Sequence, residues 1–142
     1  MTMNFVYLGY DKFDAATNMA IDEAALNAAE RYQKSFIRFY DFDRPAVILS
    51  HRESKDDIDI AKCRELGVDI SRRLSHGSVI LCDTNVLAYS IASPFYTPDS
   101  AHSYFARRIA GVLKDAGVEN VGIGNHFSVR INGGTVAGHG QR

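Results

Sequence analysis

Arg72-Arg73-Leu74-Ser75-His76-Gly77-Ser78 is the stretch of this chain whose residue types come closest to a working site. Two guanidiniums are followed at once by small and hydroxyl-bearing residues. Such a loop can aim backbone N–H groups and a hydroxyl at a phosphate while an arginine grips it through paired hydrogen bonds. The structural alternative is a strand end with one arginine salt-bridged and one solvated, beside an ordinary turn, since a single glycine makes a weak phosphate loop. Asn132-Gly133-Gly134-Thr135-Val136-Ala137-Gly138-His139-Gly140 is the second candidate, because glycines let backbone approach a ligand closely. Its alternative is a hairpin turn followed by a polar tail.

The remaining nucleophiles and ligands are less organised. The five histidines, His51, His76, His102, His126 and His139, form no HxH or HxxxH pair, so no metal site is indicated. His76 and His139 stand out only because each lies in a candidate loop. Cys82 has apolar neighbours and reads as a buried, inert thiol. Cys63 lies between Lys62 and Arg64, which favours thiolate, yet a nucleophile also needs a positioned base and none is visible. The two cysteines have no CxxC spacing and suggest no disulfide framework.

The elements that must position these residues can be read from periodicity. Phe5 to Leu8 predicts a strand. Asn18 to Tyr32 predicts a helix capped by Thr17 or Asn18, with Asp22-Glu23 in its first turn and Ala20, Ile21, Ala24, Ala25 and Ala28 at helical spacing. Ser35 to Tyr40 and Ala46 to Leu49 read as strands separated by the Asp41–Pro45 break. Asp59 to Leu66 is a short helix ended by Gly67, and Val68 to Arg72 is the strand that delivers the arginine pair. Val79 to Cys82 and Val86 to Ile91 read as two strands joined at Asp83-Thr84-Asn85. Ser100 is the expected cap of a helix with Phe105, Ile109, Val112, Leu113 and Ala116 on one stripe. Phe127 to Ile131 and Thr135 to Ala137 form a hairpin about Asn132-Gly133-Gly134.

Hydrophobic residues are 46% of the 142 and charged residues 23%, a globular composition sufficient for one core. The formal charge of −1 offers no field for nucleic acid or an anionic membrane. No basic leader and no apolar run of the ~20 residues that span a bilayer are present, which makes the cytoplasm the expected location. Strands and helices mix without strict βαβ alternation, so the expected class is α+β with a mixed or antiparallel sheet. The chain stops just after a hairpin strand. It is therefore expected to be one partial domain over residues 1–142, a fragment or a subunit completed by another chain.

Four stretches in order resemble the biotin/lipoate transferase superfamily, and most of all the N-terminal part of the lipoate–protein ligase catalytic domain. They are Asn18-Met19-Ala20-Ile21-Asp22-Glu23-Ala24; Arg38-Phe39-Tyr40 with Pro45-Ala46-Val47-Ile48-Leu49; Cys63 to Ser75 running on to Asp83 and Leu87-Ala88-Tyr89-Ser90; and Gly133 to Gly138 with Gln141. The resemblance implies a domain that activates lipoate or octanoate with ATP and magnesium as an acyl-adenylate and passes the acyl group to a lysine of a lipoyl carrier domain. It implies adenylate-binding roles for Arg72, Arg73, Ser75, His76, Gly77, Ser78, Asp83 and Gly138, and an acyl slot between the loop strand and Leu87 to Ile91. The sequence departs from the family at two places. His76-Gly77-Ser78 stands where three glycines are usual, and Thr135 stands where the family lysine is expected, with no lysine after Lys114. His139 is the remaining group near that hairpin that could move a proton. Two other readings stay open: an octanoyl transferase that needs no ATP, and a non-catalytic ligand-binding or scaffold homologue.

Overall fold

The computed structural model describes residues 4–138. The chain divides into two compact units, one running to Phe95 and the other starting at Tyr96.

The first unit opens with β1 (Phe5–Phe13), α1 (Ala15–Tyr32) and β2 (Ser35–Phe42). β1 and β2 are parallel, which requires a crossover, and α1 supplies it. α1 starts earlier than the sequence suggests. Asp14 is the cap, its Oδ1 accepting the Thr17 N–H at 2.7 Å. Asn18 is instead drawn fully inside, donating its Nδ2 to the carbonyls of Phe13 and Asp41 at 3.1 and 3.0 Å. Asp22 and Glu23 consequently lie within the helix rather than in its first turn. β2 also runs on through Asp41 to Phe42, because Lys12 and Phe13 of β1 extend the ladder past the polar break.

A second parallel pair follows the same logic. β3 (Ala46–Leu49) and β4 (Asp69–Arg72) run side by side, joined through the short helix α2 (Ile60–Glu65). Asp59 caps α2, accepting the Lys62 N–H at 2.9 Å, and Gly67 at φ +66° ends it as expected. β5 (Ile80–Cys82) and β6 (Ala88–Ala92) correct the expected strand pair. β5 is antiparallel to β3 and β6 is antiparallel to β2, so they belong to separate sheets, ordered β4-β3-β5 and β1-β2-β6. The open edges of β2 and β3 claim one strand each, and the Asp83 turn carries the chain between sheets rather than closing a hairpin. Ala15, Tyr40, Phe42, Ala46, Ile48 and Cys82 make one apolar core, and Ala25, Ala29 and Ala92 make another beneath α1.

The second unit holds α3 (Pro98–Asp115) and the antiparallel sheet β7 (Val121–Ile123), β8 (Val129–Ile131) and β9 (Gly134–Ala137). Thr97 caps α3, with Pro98 in the first turn, in place of the expected Ser100. The buried stripe is rotated from the expected one. Ala106 and Ala110 are buried with Ile109 and Leu113 against them, a set at the helical spacing i, i+3, i+4, i+7, which leaves Val112 67% exposed. The β8–β9 turn falls where the sequence predicts but takes two residues, Asn132 at φ +50° and Gly133 at +82°, the two positive angles of a type I′ turn, while Gly134 opens β9. Its first strand starts at Val129 because residues 125–127 form a 3₁₀ turn. Mixed sheets with packed helices confirm the α+β class. Among the described residues no helix is long and apolar enough to cross a membrane.

Candidate functional site

Parallel strands put their C-terminal ends together, and loops leaving such ends are where open sheets hold ligands. β3 and β4 do this with Leu49 opposite Arg72. The ladder continues one step beyond them, the Arg73 N–H donating to the Leu49 carbonyl at 2.9 Å. The loop after β3, residues 50–54, then meets the loop after β4, residues 73–79. The His51 N–H donates to the Ser75 carbonyl at 3.1 Å, and the rings of His51 and His76 meet edge to face with centroids 6.0 Å apart.

Both arginines of the motif are turned onto backbone. Arg72 Nη1 donates to the carbonyls of Ser50 at 2.5 Å and Glu53 at 2.8 Å. Arg73 Nη1 donates to Ile48 O at 3.2 Å, and its Nη2 donates to His76 O at 3.2 Å and Ser78 O at 2.8 Å. Arg72 thus holds the loop after β3, and Arg73 clamps the loop after its own strand. Gly77 explains why a glycine is needed there. Its φ of +116° disfavours a side chain, and a Cβ at this position would lie 2.9 Å from Arg73 Nη2. Partial burial draws the Arg73 pKa down, which the nearby Glu53 carboxylate opposes.

Glu53 is the residue that reading the sequence missed. Its Oε2 accepts the Ser50 N–H at 2.9 Å and its Oε1 accepts the Val79 N–H at 2.7 Å, one bond to each loop. The Ser50 N–H holds its carboxyl below the usual carboxylate range, with the Val79 N–H adding to the effect. The available signal was Ser50-His51-Arg52-Glu53, the S-x-x-E spacing in which the acidic side chain returns to the first residue's N–H.

The other expected site residues fall in several places. Ser75 to Ser78 form the clamped loop. Asp83 is exposed and makes a turn, its Oδ1 accepting the Asn85 N–H at 2.7 Å. Ala88, from the expected acyl slot, packs against the core cluster that includes Ile48 and Cys82. Cys82 is buried, and burial pushes its thiol pKa up, consistent with an inert residue. Thr135 is exposed on β9 opposite Arg130, and Gly138 is exposed just beyond that strand. His139 lies outside the described residues. Two grooves along α3, of about 520 and 410 Å³, are lined by Ser103, Tyr104, Arg107 and Arg108 and by Arg107, Lys114 and Val121 among others, and contain no residue of the loop.

The first two stretches that carry the resemblance have a structural task. Arg38 is 1% exposed. Its Nη1 donates to Asn18 O and to Asp22 Oδ1 at 3.1 and 3.2 Å, and its Nη2 donates to Asn18 Oδ1 at 2.6 Å. The guanidinium lies 4.1 Å from the Tyr40 ring centre, and Tyr40 Oη donates to Asp22 Oδ2 at 2.9 Å. Burial raises the Asp22 carboxyl above its usual range, outweighing the pull of Arg38 and its hydrogen bonds, and burial with Asp22 alongside raises Tyr40. The network locks α1 to β2.

Chemically, the loops offer a preassembled backbone surface with two imidazoles beside it. Arg72 Nη1 and the Arg73 Nη groups are turned towards backbone carbonyls as they are placed, so the task they perform here is to hold the two loops. Among the described residues no group of three or more His, Cys, Asp or Glu side chains is arranged to hold a metal ion.

Comparison with known proteins gives the family and the fold. Residues 14–142 match the family described as the lipoyl protein ligase A/B catalytic domain. The octanoyltransferase LipM of Carboxydothermus hydrogenoformans is 30% identical over 122 residues, 82% of this chain and 44% of that protein. The chain spans less than half the length of that relative. Among solved structures, lipoate-protein ligase A bound with ATP superposes with a TM-score of 0.65 at 20% identity, over 93% of this chain and 54% of that one. The bipartite lipoate protein ligase of Thermoplasma acidophilum, described with its E2 lipoyl domain, gives 0.68 at 19% identity over 92% and 52%. At these identities the structures share the fold.

Proposed function

The chain belongs to the lipoyl protein ligase A/B catalytic domain family, and on that premise we propose that it handles the acyl group in a cytoplasmic octanoyl transferase. The donor is an octanoyl thioester on a carrier protein and the acceptor a lysine of a lipoyl domain. The lysine amine attacks the thioester carbonyl, the C–N bond forms, the C–S bond breaks, and the thiolate leaves with the proton the amine gives up. Atoms and charge balance without a nucleotide. Residues 1–142 act in this reading as one portion of a catalytic domain.

The observation that carries the choice is the direction of the two arginines. An ATP-dependent ligase needs cations facing the phosphate whose charge it stabilises. Here Arg72 and Arg73 face the carbonyls of Ser50, Glu53, Ile48, His76 and Ser78. Thr135 brings no further cation. The name of the Carboxydothermus relative supports the same choice. The adenylate-forming reading of the sequence therefore takes second place. What remains suited to the work is the clamped loop 75–78 as a surface for a neutral acyl chain and its carbonyl.

The test is an assay of the purified chain with octanoyl-carrier thioester and apo-lipoyl domain, without ATP, read by mass spectrometry of the acceptor. An octanoylated lysine is the expected product. Modification that requires free octanoate, magnesium and ATP, with pyrophosphate released, would restore the ligase reading. Acceptor or acyl binding with no product under either condition would favour the scaffold reading. Activity that appears only when a further polypeptide is added would establish the expected completing chain.

A further inference from the structure

We propose that Glu53 is a positioning residue that presets loop 75–79 for the acyl group without touching it; this rests on the octanoyl-transfer reading of that loop.

The two carboxylate oxygens are divided between two loops. One takes the Ser50 N–H at the exit of β3, and the other takes the Val79 N–H where the second loop enters β5. The Glu53 carbonyl receives Arg72 Nη1 from the end of β4. The segment from Ser75 to Val79 is thereby tied at both ends to residues 51–53, through the His51 N–H at Ser75 and the Glu53 carboxylate at Val79. Arg73 holds its middle by the carbonyls of His76 and Ser78.

Of these hydrogen bonds, the one at Val79 runs through a side chain that reaches from the other loop. Arg73 belongs to the loop's own stem and can follow it if it moves. The residue type matters for the same reason. A carboxylate accepts at both oxygens, and charge-assisted acceptance is the stronger kind. A glutamine would present an NH₂ to one of the two N–H groups and so keep only one bond. Exposed loops of this sort open locally at low cost. If the ligand-ready loop is populated only in part, apparent affinity falls by that fraction.

The experiment compares the wild-type chain with Glu53→Ala, Glu53→Gln and the surface control Glu65→Gln. Octanoate binding is measured by calorimetry and amide exchange residue by residue. Glu53→Ala is expected to weaken octanoate binding about tenfold, the effect of a loop populated about one-tenth of the time. Val79 exchange should quicken to a similar degree, while amides of β3 and α1 stay as protected as in wild type. Glu53→Gln should fall between, and Glu65→Gln should match wild type. Unchanged affinity in Glu53→Ala would overturn the proposal, as would exchange raised evenly throughout the unit, the mark of a general structural role. Failure of the wild-type chain to bind octanoate would instead overturn the acyl reading of the loop, which the exchange data can distinguish because they do not depend on ligand.

Discussion

Arg38 Nη2 donates to Asn18 Oδ1 at 2.6 Å, and both side chains are withdrawn from solvent. The pair joins the first helix to the central strand of its sheet. It also shows why Asn18 could not serve as the cap, since its amide is committed to Arg38, Phe13 and Asp41.

Removing Arg38 would leave the partly buried Asp22 carboxyl without its cation. Arg38→Ala is therefore expected to lower stability by about 3–5 kcal/mol, the usual cost of breaking one side of a buried pair. Asn18→Ala, which strands neutral groups as well as one guanidinium nitrogen, should cost about 1–3 kcal/mol. A double-mutant cycle in urea should return a coupling of about 0.5–3 kcal/mol. Strictly additive losses would mean that the 2.6 Å contact contributes nothing of its own.

Gly77→Ala tests the clamp. The alanine would have to adopt φ +116° and would press on Arg73 Nη2, which bonds His76 O and Ser78 O. Strain at such a backbone position is of order 1–3 kcal/mol, confined to the loop. Faster exchange of loop amides and weaker acyl binding are expected with the melting temperature little changed. A variant indistinguishable from wild type would show that the loop relaxes without loss.

Much of the fold was legible where the determinants are local. Asn132 and Gly133 announce their turn through backbone preference, Gly67 ends α2, and the wholly apolar Ala46–Leu49 reads as buried strand. Distant pairings were not legible. Nothing in residues 79–91 says that β3 will claim Ile80 to Cys82 and β2 will claim Ala88 to Ala92. The site divides in the same way. The composition of loop 72–78 drew the eye to the right loop, but the arginines' partners are carbonyls 19 to 25 residues back for Glu53, Ser50 and Ile48, set by the strand pairing alone. Glu53 escaped because its partner Val79 is 26 residues away.

Acid should loosen the loop before it unfolds the unit. Glu53 has its folded pKa depressed by the Ser50 and Val79 N–H groups, so its contribution is present above the unfolded carboxyl value and disappears as pH falls through the folded one. Arg73 is the charged group facing it, and the His51–His76 pair lies on the same two loops. Asp14, lowered by the Thr17 N–H, has the same sign at the start of α1, whereas Asp22, raised by burial, has the opposite one. Protection of the Val79 and Thr17 amides is expected to fall below about pH 4.5, the ordinary range of free carboxyls. In Glu53→Gln the Val79 amide should lose that pH dependence while Thr17 keeps it. A Val79 profile unaffected by the substitution would show that another group controls the loop.

Thr135→Lys places the lysine that the family resemblance leads one to expect. The site tolerates it physically, since Thr135 is exposed on a short strand and lysine suits strand edges. It would stand opposite Arg130, however, and like charges directly across strands cost about 0.2–1 kcal/mol. A folded variant of slightly reduced stability is therefore expected. If the arginines at the end of β4 are committed to backbone, one added cation does not build a phosphate site, and Thr135→Lys should release no more pyrophosphate from ATP and octanoate than wild type does. Thioester-driven transfer should persist unchanged. A clear gain of pyrophosphate release would show that the hairpin lysine was the only part lacking, and would return the chain to the ATP-dependent ligases.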